Sequence, residues 1–465
     1  MVLFLGLACL SPAFAQEPPS LVQMVQTLTA NGTFPFNALG LTAAQTDDAA
    51  FASLQKICAP LPNGGPPPNC TGATFQLFDQ LRELEQTADE LLGRGPTQYS
   101  LHLGPAGMAA ALQWTAPEEY AAQGSIATKF ANSQAALLSN RFAALRFAST
   151  GLAGGFADNA APYGGSAGAD PPSADFGRWS MYANDGFGAG EKQPTIFEDA
   201  FAFDNTQGSV GLDVRVTRHL VLGVLAGHTE ERVDFNSDLS IVDGRVRGNG
   251  QSLLAYLQWE GDAGYLNFAL GGQHLTIKTT RKITYPSNNP SIPPVNETAY
   301  SDTGSNNWMA TLGAGLTLHV QAAAFEPYVN VQSVNVRIAP FTEYNSNAFD
   351  VSLAAQSVRS LQGAAGLKFE LVFLGRFGVL VPYVYGEARH EFRDASRVVN
   401  SSYAALGQTE FAVPTDNPTK TYYVAGGGGS LVLKHGVQGF LQYYRVLEYA
   451  NYTDHVVSGG IRWEF

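Results

Sequence analysis

Charged residues are scarce in this sequence. Only 14% of its 465 residues are Asp, Glu, Lys or Arg, against about 25% in a typical soluble domain. Lys and Arg form no run, so the basic patch of a nucleic-acid-binding protein is missing, and we expect no nucleic-acid partner. The net charge of −13 indicates only that the exposed parts of the chain are negative.

Patterns that bind metals or carry out catalysis are equally scarce. The eight histidines are scattered, without the H-x-H or HExxH spacing of a metal site. Gly164–Gly168 fits the G-x-S-x-G pattern around Ser166, but that elbow needs a strand before it and a helix after it. Here it lies among small residues, so we interpret it as a chance match. The sequence predicts no enzyme active site, no metal and no cofactor.

The first residues form a short apolar segment that ends in Ala-Phe-Ala, an A-x-A-like cleavage site. The segment is too short to span a bilayer stably. It predicts a signal peptide over residues 1–15, recognised by the general secretion machinery and then removed. Cys9 would leave with it. Cys58 and Cys70 remain, and in an oxidising compartment this pair is expected to form one disulfide.

Residues 16–150 are predicted to be mainly helical. Phe75–Leu92 has apolar residues at three- and four-residue spacing, which indicates an amphipathic helix. Thr115 followed by Glu118 matches a capping box, with Pro117 in the first turn. This pattern predicts a helix from Thr115 to about Ser149, about 50 Å long. Residues 151–177 are rich in Gly, Ala and Pro and predict a linker.

From Arg178 onward the hydrophobic pattern changes to a period of two. Val210, Leu212 and Val214 alternate with smaller or polar residues, and the segments around Leu270 and Leu312 show the same alternation. A strand with one apolar face and one small or polar face lies between two media. The alternation alone does not distinguish a membrane barrel from a soluble sandwich.

The lengths of the connections favour the membrane barrel. Outer-membrane barrels have short periplasmic turns and longer extracellular loops, and here short and long connections alternate without exception. The short ones are Thr217–His219, Glu260–Ala263, Gln321–Ala324, Leu374–Arg376 and Lys434–Gly436, and the long ones are 189–202, 233–245, 281–304, 341–354, 396–419 and 448–452. The sequence therefore predicts an all-β, antiparallel transmembrane barrel of about 12 strands over residues 178–465.

The end of the chain alternates in the same way. Ile461, Trp463 and Phe465 point to one side of the predicted last strand. Such an ending resembles the signal that the outer-membrane barrel-assembly machinery reads. We therefore expect these three residues to be the barrel assembly signal and that machinery to be a partner.

Three charged residues share one face of a predicted strand: Glu387, Arg389 and Glu391. They could contact the N-terminal helix inside the barrel, or they could neutralise one another in lumen water. We favour the second interpretation. The Gly426–Gly429 run lies inside another predicted strand, where glycine often marks a bend or a close backbone approach.

Several segments resemble the autotransporter β-domain of type V secretion. They are Phe203–Gly227, Leu380–Arg397, Phe411–Tyr423 and Asn451–Phe465, and the resemblance covers about residues 178–465 in order. It implies a twelve-stranded barrel with a helix in its lumen, which places an N-terminal passenger on the cell surface. The region before the barrel is short and has no β-helix repeat, so the passenger would be short.

Three functional hypotheses follow. The leading one is a monomeric translocator barrel that inserts into the lipid of the bacterial outer membrane and displays or exports an N-terminal segment. The second is a small outer-membrane adhesin or pore that acts through its extracellular loops. The third is a hydrolase at the extracellular rim, for which Asp394, Asp416 and His455 are the candidate residues.

Overall fold

The computed structural model of the protein describes residues 20–33, 38–59, 67–149, 178–236, 240–261, 263–375, 378–393, 397–407, 410–433 and 437–465. Three sequence predictions lie outside these described residues. They are the signal peptide over residues 1–15 with Cys9, the linker over 151–177 with Ser166, and the rim candidate Asp394.

The described residues before the barrel form five α-helices and a single 3₁₀ turn at Glu118–Tyr120. The helices are α1 (Ser20–Ala30), α2 (Ala38–Ile57), α3 (Ala73–Leu91), α4 (Pro105–Thr115) and α5 (Ala121–Ser149). None of the described helices has both the length and the hydropathy that crossing a membrane requires.

The predicted helix from Thr115 to Ser149 is wrong at its start. Thr115 is the last residue of α4, and α5 begins only at Ala121. Pro117 disfavours helical backbone at the residue before it, and Ala116 is indeed extended, with φ −71° and ψ 128°. The Thr115 hydroxyl donates to the Asp47 carboxylate and to the Leu112 carbonyl, so it does not act as a helix cap.

The described residues from 178 onward form eighteen β-strands. They are β1 (Trp179–Lys192), β2 (Phe201–Arg215), β3 (Leu220–Phe235), β4 (Gly244–Glu260), β5 (Gly264–Tyr285), β6 (Val295–Leu316), β7 (Leu318–Val320), β8 (Ala323–Ile338), β9 (Phe341–Thr342), β10 (Val351–Leu353), β11 (Gln356–Leu371), β12 (Phe373–Gly375), β13 (Gly378–Glu391), β14 (Val398–Tyr403), β15 (Glu410–Pro414), β16 (Thr421–Leu433), β17 (Val437–Leu447) and β18 (Tyr452–Glu464).

Twelve of these strands build one closed barrel, as the sequence predicts. The barrel strands are β1 to β6, β8, β11, β13 and β16 to β18, and all pair in antiparallel fashion. The ring is closed, because β1 pairs with both β2 and β18, and β11 joins β8 to β13. Strands β9, β10, β14 and β15 form a separate four-stranded sheet within the long loops.

The apolar face of the strands points outward. Val210 is 61% exposed and Trp308 is 63% exposed, whereas the inward-facing Ser209 and Asp213 are almost fully buried. A water-soluble sandwich would bury the apolar face instead. This arrangement, with lipid-facing apolar residues and a polar interior, is that of a transmembrane barrel.

The Gly426–Gly429 run lies in β16, where two of its glycines are covered by tyrosines from the next strand. A Cβ added to Gly426 would lie 2.7 Å from the Tyr385 ring, and one added to Gly428 would lie 2.9 Å from the Tyr383 hydroxyl. The glycines therefore make room for inward-facing aromatic rings. This is the close-approach role of glycine rather than a bend.

Helices α1 to α4 form a compact unit at one mouth of the barrel, which we call the cap (residues 20–115). Leu21, Leu54 and Leu81 of the cap share one buried cluster with barrel residues such as Tyr285 and Tyr403. The barrel part of this cluster comes from the protruding ends of β5 and β6 and from the sheet in the long loops. Since long loops are extracellular in such barrels, the cap lies on the extracellular side.

Candidate functional site in the barrel lumen

The lumen contains α5, which we call the lumen helix. Its 29 residues give a length of about 43 Å, which exceeds the roughly 25 Å apolar band of an outer-membrane barrel. Its N-terminal end lies at the extracellular mouth and its C-terminal end near the short turns, as the contacts below show. The chain therefore passes through the barrel between the cap and β1.

At the extracellular end, polar side chains fix the start of the lumen helix. The Gln123 amide donates to the Thr279 hydroxyl of β5 over 3.1 Å. Arg397, from the loop before β14, donates to the Ala121 carbonyl over 3.1 Å and covers Gly124, where a Cβ would overlap its guanidinium. A glycine at this point thus lets the loop close over the helix.

In the middle of the lumen, the helix presses against β3 and β4. The Gln134 amide donates to Thr229 over 2.9 Å and its carbonyl oxygen accepts from Ser252 over 2.9 Å. A Cβ added to Gly250 would lie 2.7 Å from Cζ of Phe130. The helix can approach this wall only because glycine is present there.

At the periplasmic end, two arginines of the helix form buried ion pairs with the barrel. Nε of Arg141 lies 2.7 Å from Asp213 of β2, and both side chains are almost fully buried. Arg146 lies 2.8 Å from Glu326, near the start of β8. Buried pairs of this kind hold a helix strongly, because separating them would leave an uncompensated charge in the interior.

The opposite wall does not touch the helix closely. A cavity of about 1080 Å³ lies between the helix and the wall around β11, β13 and β17, and polar groups line much of it. Glu387 and Arg389 are ion-paired with each other on this wall, and Glu391 accepts hydrogen bonds from Ser360 and from the Leu361 amide. For these described residues, the partners of the three charges are barrel groups rather than lumen-helix groups.

The cap joins the barrel through the buried carboxyl group of Asp47. Oδ1 of Asp47 in α2 accepts a hydrogen bond from Tyr403 of β14 over 2.5 Å, and Oδ2 accepts one from Thr115 over 3.0 Å. Burial raises the pKa of Asp47 to about 7, although both hydrogen bonds act to lower it. Two further carboxyl groups of the cap also have raised pKa values. Burial raises the pKa of Glu83 to about 7, and burial together with a hydrogen bond to Asp48 raises the pKa of Glu85 to about 10.

The loop between β5 and β6 also holds the cap. The backbone N–H of Asn288 donates to the Leu101 carbonyl over 2.8 Å, and the side-chain amide of Asn288 donates to the His102 carbonyl over 3.0 Å. The Asn289 side chain donates to the Ser100 carbonyl over 2.8 Å. Two adjacent asparagines therefore bind one short stretch of cap backbone.

Of the rim candidates for catalysis, the structure describes Asp416 and His455, and these two contact different groups. Asp416 pairs with Lys192 over 2.9 Å and accepts a hydrogen bond from Thr195, so it ties two extracellular loops. His455 lies on the outer wall, where its Nδ1 is 2.8 Å from the Tyr443 hydroxyl. Within the part of the chain that the structure describes, no group of three or more His, Cys, Asp or Glu side chains could hold a metal ion.

Cys58 and Cys70 are joined by a disulfide, with their Cα atoms 5.0 Å apart. The bond links the end of α2 to the residues before α3, inside the cap. At the other end of the chain, Ile461, Trp463 and Phe465 all face outward and are 67%, 54% and 48% exposed. They lie at the periplasmic edge of the barrel beside Trp179, whose backbone pairs with that of Phe465.

Sequence reasoning missed the residues that hold the lumen helix. Arg141, Arg146 and Asp213 were not singled out, because each is an ordinary charge in its own segment. A weak signal was present: Asp213 lies inside a strand of a chain with few charges, on the face opposite Val210 and Leu212. A charge on the lumen face of a barrel strand indicates a buried partner or water.

Comparison with known proteins agrees with this architecture. The model of the autotransporter β-domain family matches residues 185–444. No curated protein matches the sequence.

The solved structures to which this chain is similar include three translocator units. The translocator domain of the autotransporter NalP from Neisseria meningitidis has 17% identity and a TM-score of 0.49, and the match covers 73% of this chain and 99% of that one. The β-domain of the Bordetella autotransporter BrkA has 16% identity and a TM-score of 0.44, with coverage of 62% and 100%. The transport unit of AIDA-I from Escherichia coli has 12% identity and a TM-score of 0.41, with coverage of 69% and 97%.

Proposed function

The chain belongs to the autotransporter β-domain family, and from this premise we propose that its passenger is the cap, residues 20–115, displayed at the extracellular mouth of its own barrel. The barrel is an outer-membrane translocator that exports an N-terminal segment. What we propose beyond this is the identity of the exported segment and the place where it stays.

One observation carries this proposal: the lumen helix connects the cap at the extracellular mouth to the barrel sequence, which begins near the short turns. The helix pairs with Glu326 at its C-terminal end and with Thr279 at its N-terminal end. The cap and the start of β1 therefore lie at opposite ends of the lumen. A chain that reaches this state has moved its N-terminal part through the membrane.

The remaining partners are those that an outer-membrane barrel needs. We propose that the general secretion machinery removes the signal peptide over residues 1–15, and that the barrel-assembly machinery recognises Ile461, Trp463 and Phe465. The outward exposure of all three side chains supports this, since a recognition strand must be readable before the barrel closes. The protein then acts as a monomer surrounded by lipid, and its function requires no catalysis.

Surface labelling of intact cells tests the proposal. A Gln55→Cys variant places a thiol on the exposed surface of α2, and an Arg218→Cys variant places one on the turn between β2 and β3. We expect a membrane-impermeant maleimide to label Gln55→Cys on intact cells and to label Arg218→Cys only after the outer membrane is permeabilised. The reverse pattern, or labelling of neither site before permeabilisation, would contradict the proposal.

A further inference from the structure

The outer wall of the barrel carries a depression on strands β13, β16, β17 and β18. Its volume is about 700 Å³. Outward-facing Gly427, Gly429 and Gly439 form its floor, and Leu431 and Leu441 stand beside it. These residues are neighbours across paired strands, since Gly429 pairs with Leu441, and Leu431 pairs with Gly439.

The depression is open toward the bilayer. A Cβ added to Gly429 would lie 3.9 Å from the nearest atom, and one added to Gly439 would lie 3.8 Å from it. Elsewhere the outer wall is bulky, with Leu441 63% exposed and Val384 59% exposed at its borders. The missing side chains therefore leave a slot in an otherwise raised apolar surface.

Two nitrogen-bearing side chains lie just above this slot, toward the extracellular side. Arg445 pairs with His455 across β17 and β18, and with Ala425 on its other side. The Tyr443 hydroxyl, 2.8 Å from Nδ1 of His455, connects this pair to the slot below. Among the described residues, no hydrogen-bond or ion-pair partner is present for the exposed Arg445 guanidinium.

The dimensions suit one lipid leaflet. Gly429 pairs with Leu441, and from Leu441 to Arg445 is four residues along β17, or about 13 Å. On a strand tilted by about 40°, this corresponds to roughly 10 Å of depth, which lies within the outer half of an apolar band about 25 Å tall. An acyl chain in the slot would thus place its headgroup at the level of Arg445.

We propose that this slot is a binding site for a phosphorylated lipid of the extracellular leaflet, with an acyl chain over Gly427 and Gly429 and the phosphate on Arg445 and His455. Charge complementarity favours this occupant, because arginine binds phosphate through charge-assisted hydrogen bonds. A second copy of the chain, related by a two-fold axis along the membrane normal, would bring two Arg445 side chains together at the same height. The proposal rests on the outer-membrane placement of the barrel.

Native mass spectrometry of the full-length protein in detergent tests the site. The protein is titrated separately with dimyristoyl phosphatidic acid and with dimyristoylglycerol, which has the same acyl chains and no phosphate. We expect one phosphatidic acid to bind at a concentration about ten-fold lower than dimyristoylglycerol, as one charge-assisted contact would give. Arg445→Gln should remove this preference, and Gly429→Leu should weaken the binding of both lipids.

Two matched controls separate the site from general effects. Arg247→Gln removes another outward-facing arginine that has polar residues rather than a slot beneath it, and Gly272→Leu fills an outward position with open space around it. Both should leave lipid binding unchanged. Folding of each variant is checked by the shift in SDS gel mobility on boiling, and Gly439→Leu replaces Gly429→Leu if the latter does not fold.

Three results would overturn the proposal. One is a wild-type protein with no preference for the phosphorylated lipid. Another is an equal loss of preference in Arg247→Gln and Arg445→Gln. The third is a dimer that Gly429→Leu abolishes while lipid binding persists. Each can occur while surface labelling of the cap succeeds, so failure of this site is distinguishable from failure of the proposed function.

Discussion

The cap and the lumen helix both pack on the barrel through buried apolar clusters, but the polar groups at the two attachments differ in charge. The cap docks through an apolar cluster and through carboxyl groups such as Asp47, whose hydrogen-bond donors are the neutral Tyr403 and Thr115. The lumen helix is fixed by cationic side chains, Arg141 and Arg146, opposite barrel carboxylates. The first attachment needs protons on its carboxyl groups, and the second needs its carboxylates ionised.

This difference suits the two positions. The lumen helix packs Phe130 and Leu138 against inward-facing residues such as Leu254, and its ion pairs fix its depth and rotation at the periplasmic end. A cap on a rim has room for an apolar core, and its carboxyl groups become buried within that core. The attachments should therefore respond to different perturbations, and the expected effects can be ordered by size.

The largest expected effect comes from Arg141→Ala. Removing the guanidinium leaves Asp213 buried without its cationic partner and with only the hydroxyls of Ser180 and Tyr256 as donors, which should cost about 3–5 kcal/mol of the stability of the docked lumen helix. Hydrogen exchange of the full-length protein in micelles should show faster exchange in α5 and little change in α2. An Arg141→Ala, Asp213→Ala double variant should recover part of the loss, and equal acceleration in both helices would contradict the comparison.

The next effect is the pH dependence of the cap. Burial raises the pKa of Asp47 from 3.8 to about 7, so its contribution to docking is complete below about pH 4 and is lost as the pH rises through 7. The change corresponds to about 4 kcal/mol in total. Exchange of α2 amides, corrected for the intrinsic effect of pH, should therefore be slowest in acid.

Asp47→Asn should flatten this dependence, because the amide does not titrate and can still accept from Tyr403. Asp79→Asn, at a partly exposed position of α3, serves as the control. Its charge helps to raise the pKa of Glu83, so the variant should reduce only the Glu83 contribution and leave the larger Asp47 dependence in place. Glu83 and Glu85 also lose their protons as the pH rises, so the Asp47→Asn variant should keep a smaller pH dependence of α2 exchange. A cap that exchanges fastest in acid would show that its carboxyl groups are not protonated when docked.

A smaller effect is expected from Gly250→Leu in β4. The new side chain would collide with Phe130 of the lumen helix, and overpacking of this kind costs about 1–3 kcal/mol. Exchange of α5 should increase, and a Phe130→Ala replacement in the same chain should reverse part of the increase. Gly272→Leu, on the outer face of the neighbouring strand, should leave α5 unaffected; if it matches Gly250→Leu, the effect is on the barrel rather than on the helix.

The smallest effect is expected at the surface of the cap. His102 lies 2.8 Å from Glu90, and the two side chains are 44% and 40% exposed. Exposed ion pairs contribute about 0–1 kcal/mol, so His102→Gln should change the exchange of α3 by less than any variant above. A loss larger than that of Gly250→Leu would indicate that this pair organises the Asn288 contact with His102 as well.

The barrel could be predicted from sequence because its signals are local and repeated. Residues such as Val210, Leu212 and Trp308 show the period of two in their own strands, and the alternation of short and long connections sets the orientation. The error at Thr115 was also local in origin: a capping-box pattern occurred by chance where Pro117 ends one helix. The resemblance to the autotransporter β-domain supplied the helix in the lumen.

The attachments could not be predicted, because their partners are far apart in the chain. Asp47 and Tyr403 are separated by 356 residues, and Arg141 and Asp213 by 72. Nothing in either segment shows which residue it will meet, since the meeting depends on strand register and on the depth of the helix. The lipid slot has the same character, because Gly429 and Leu441 become neighbours only through the pairing of β16 with β17.

The placement of the cap at the extracellular mouth and of the lumen helix inside the barrel has a mechanical consequence. The helix occupies the bore, the folded cap is a bundle of four helices, and an α-helix with its side chains is about 10–12 Å across. The folded cap is thus wider than the space that the lumen helix occupies. A force that pulls the helix toward the periplasm presses the cap against the extracellular rim, and the chain can be withdrawn only after the cap unfolds. Resistance to extraction is thus set by the unfolding rate of the cap, and not by the strength of any single contact along the lumen helix.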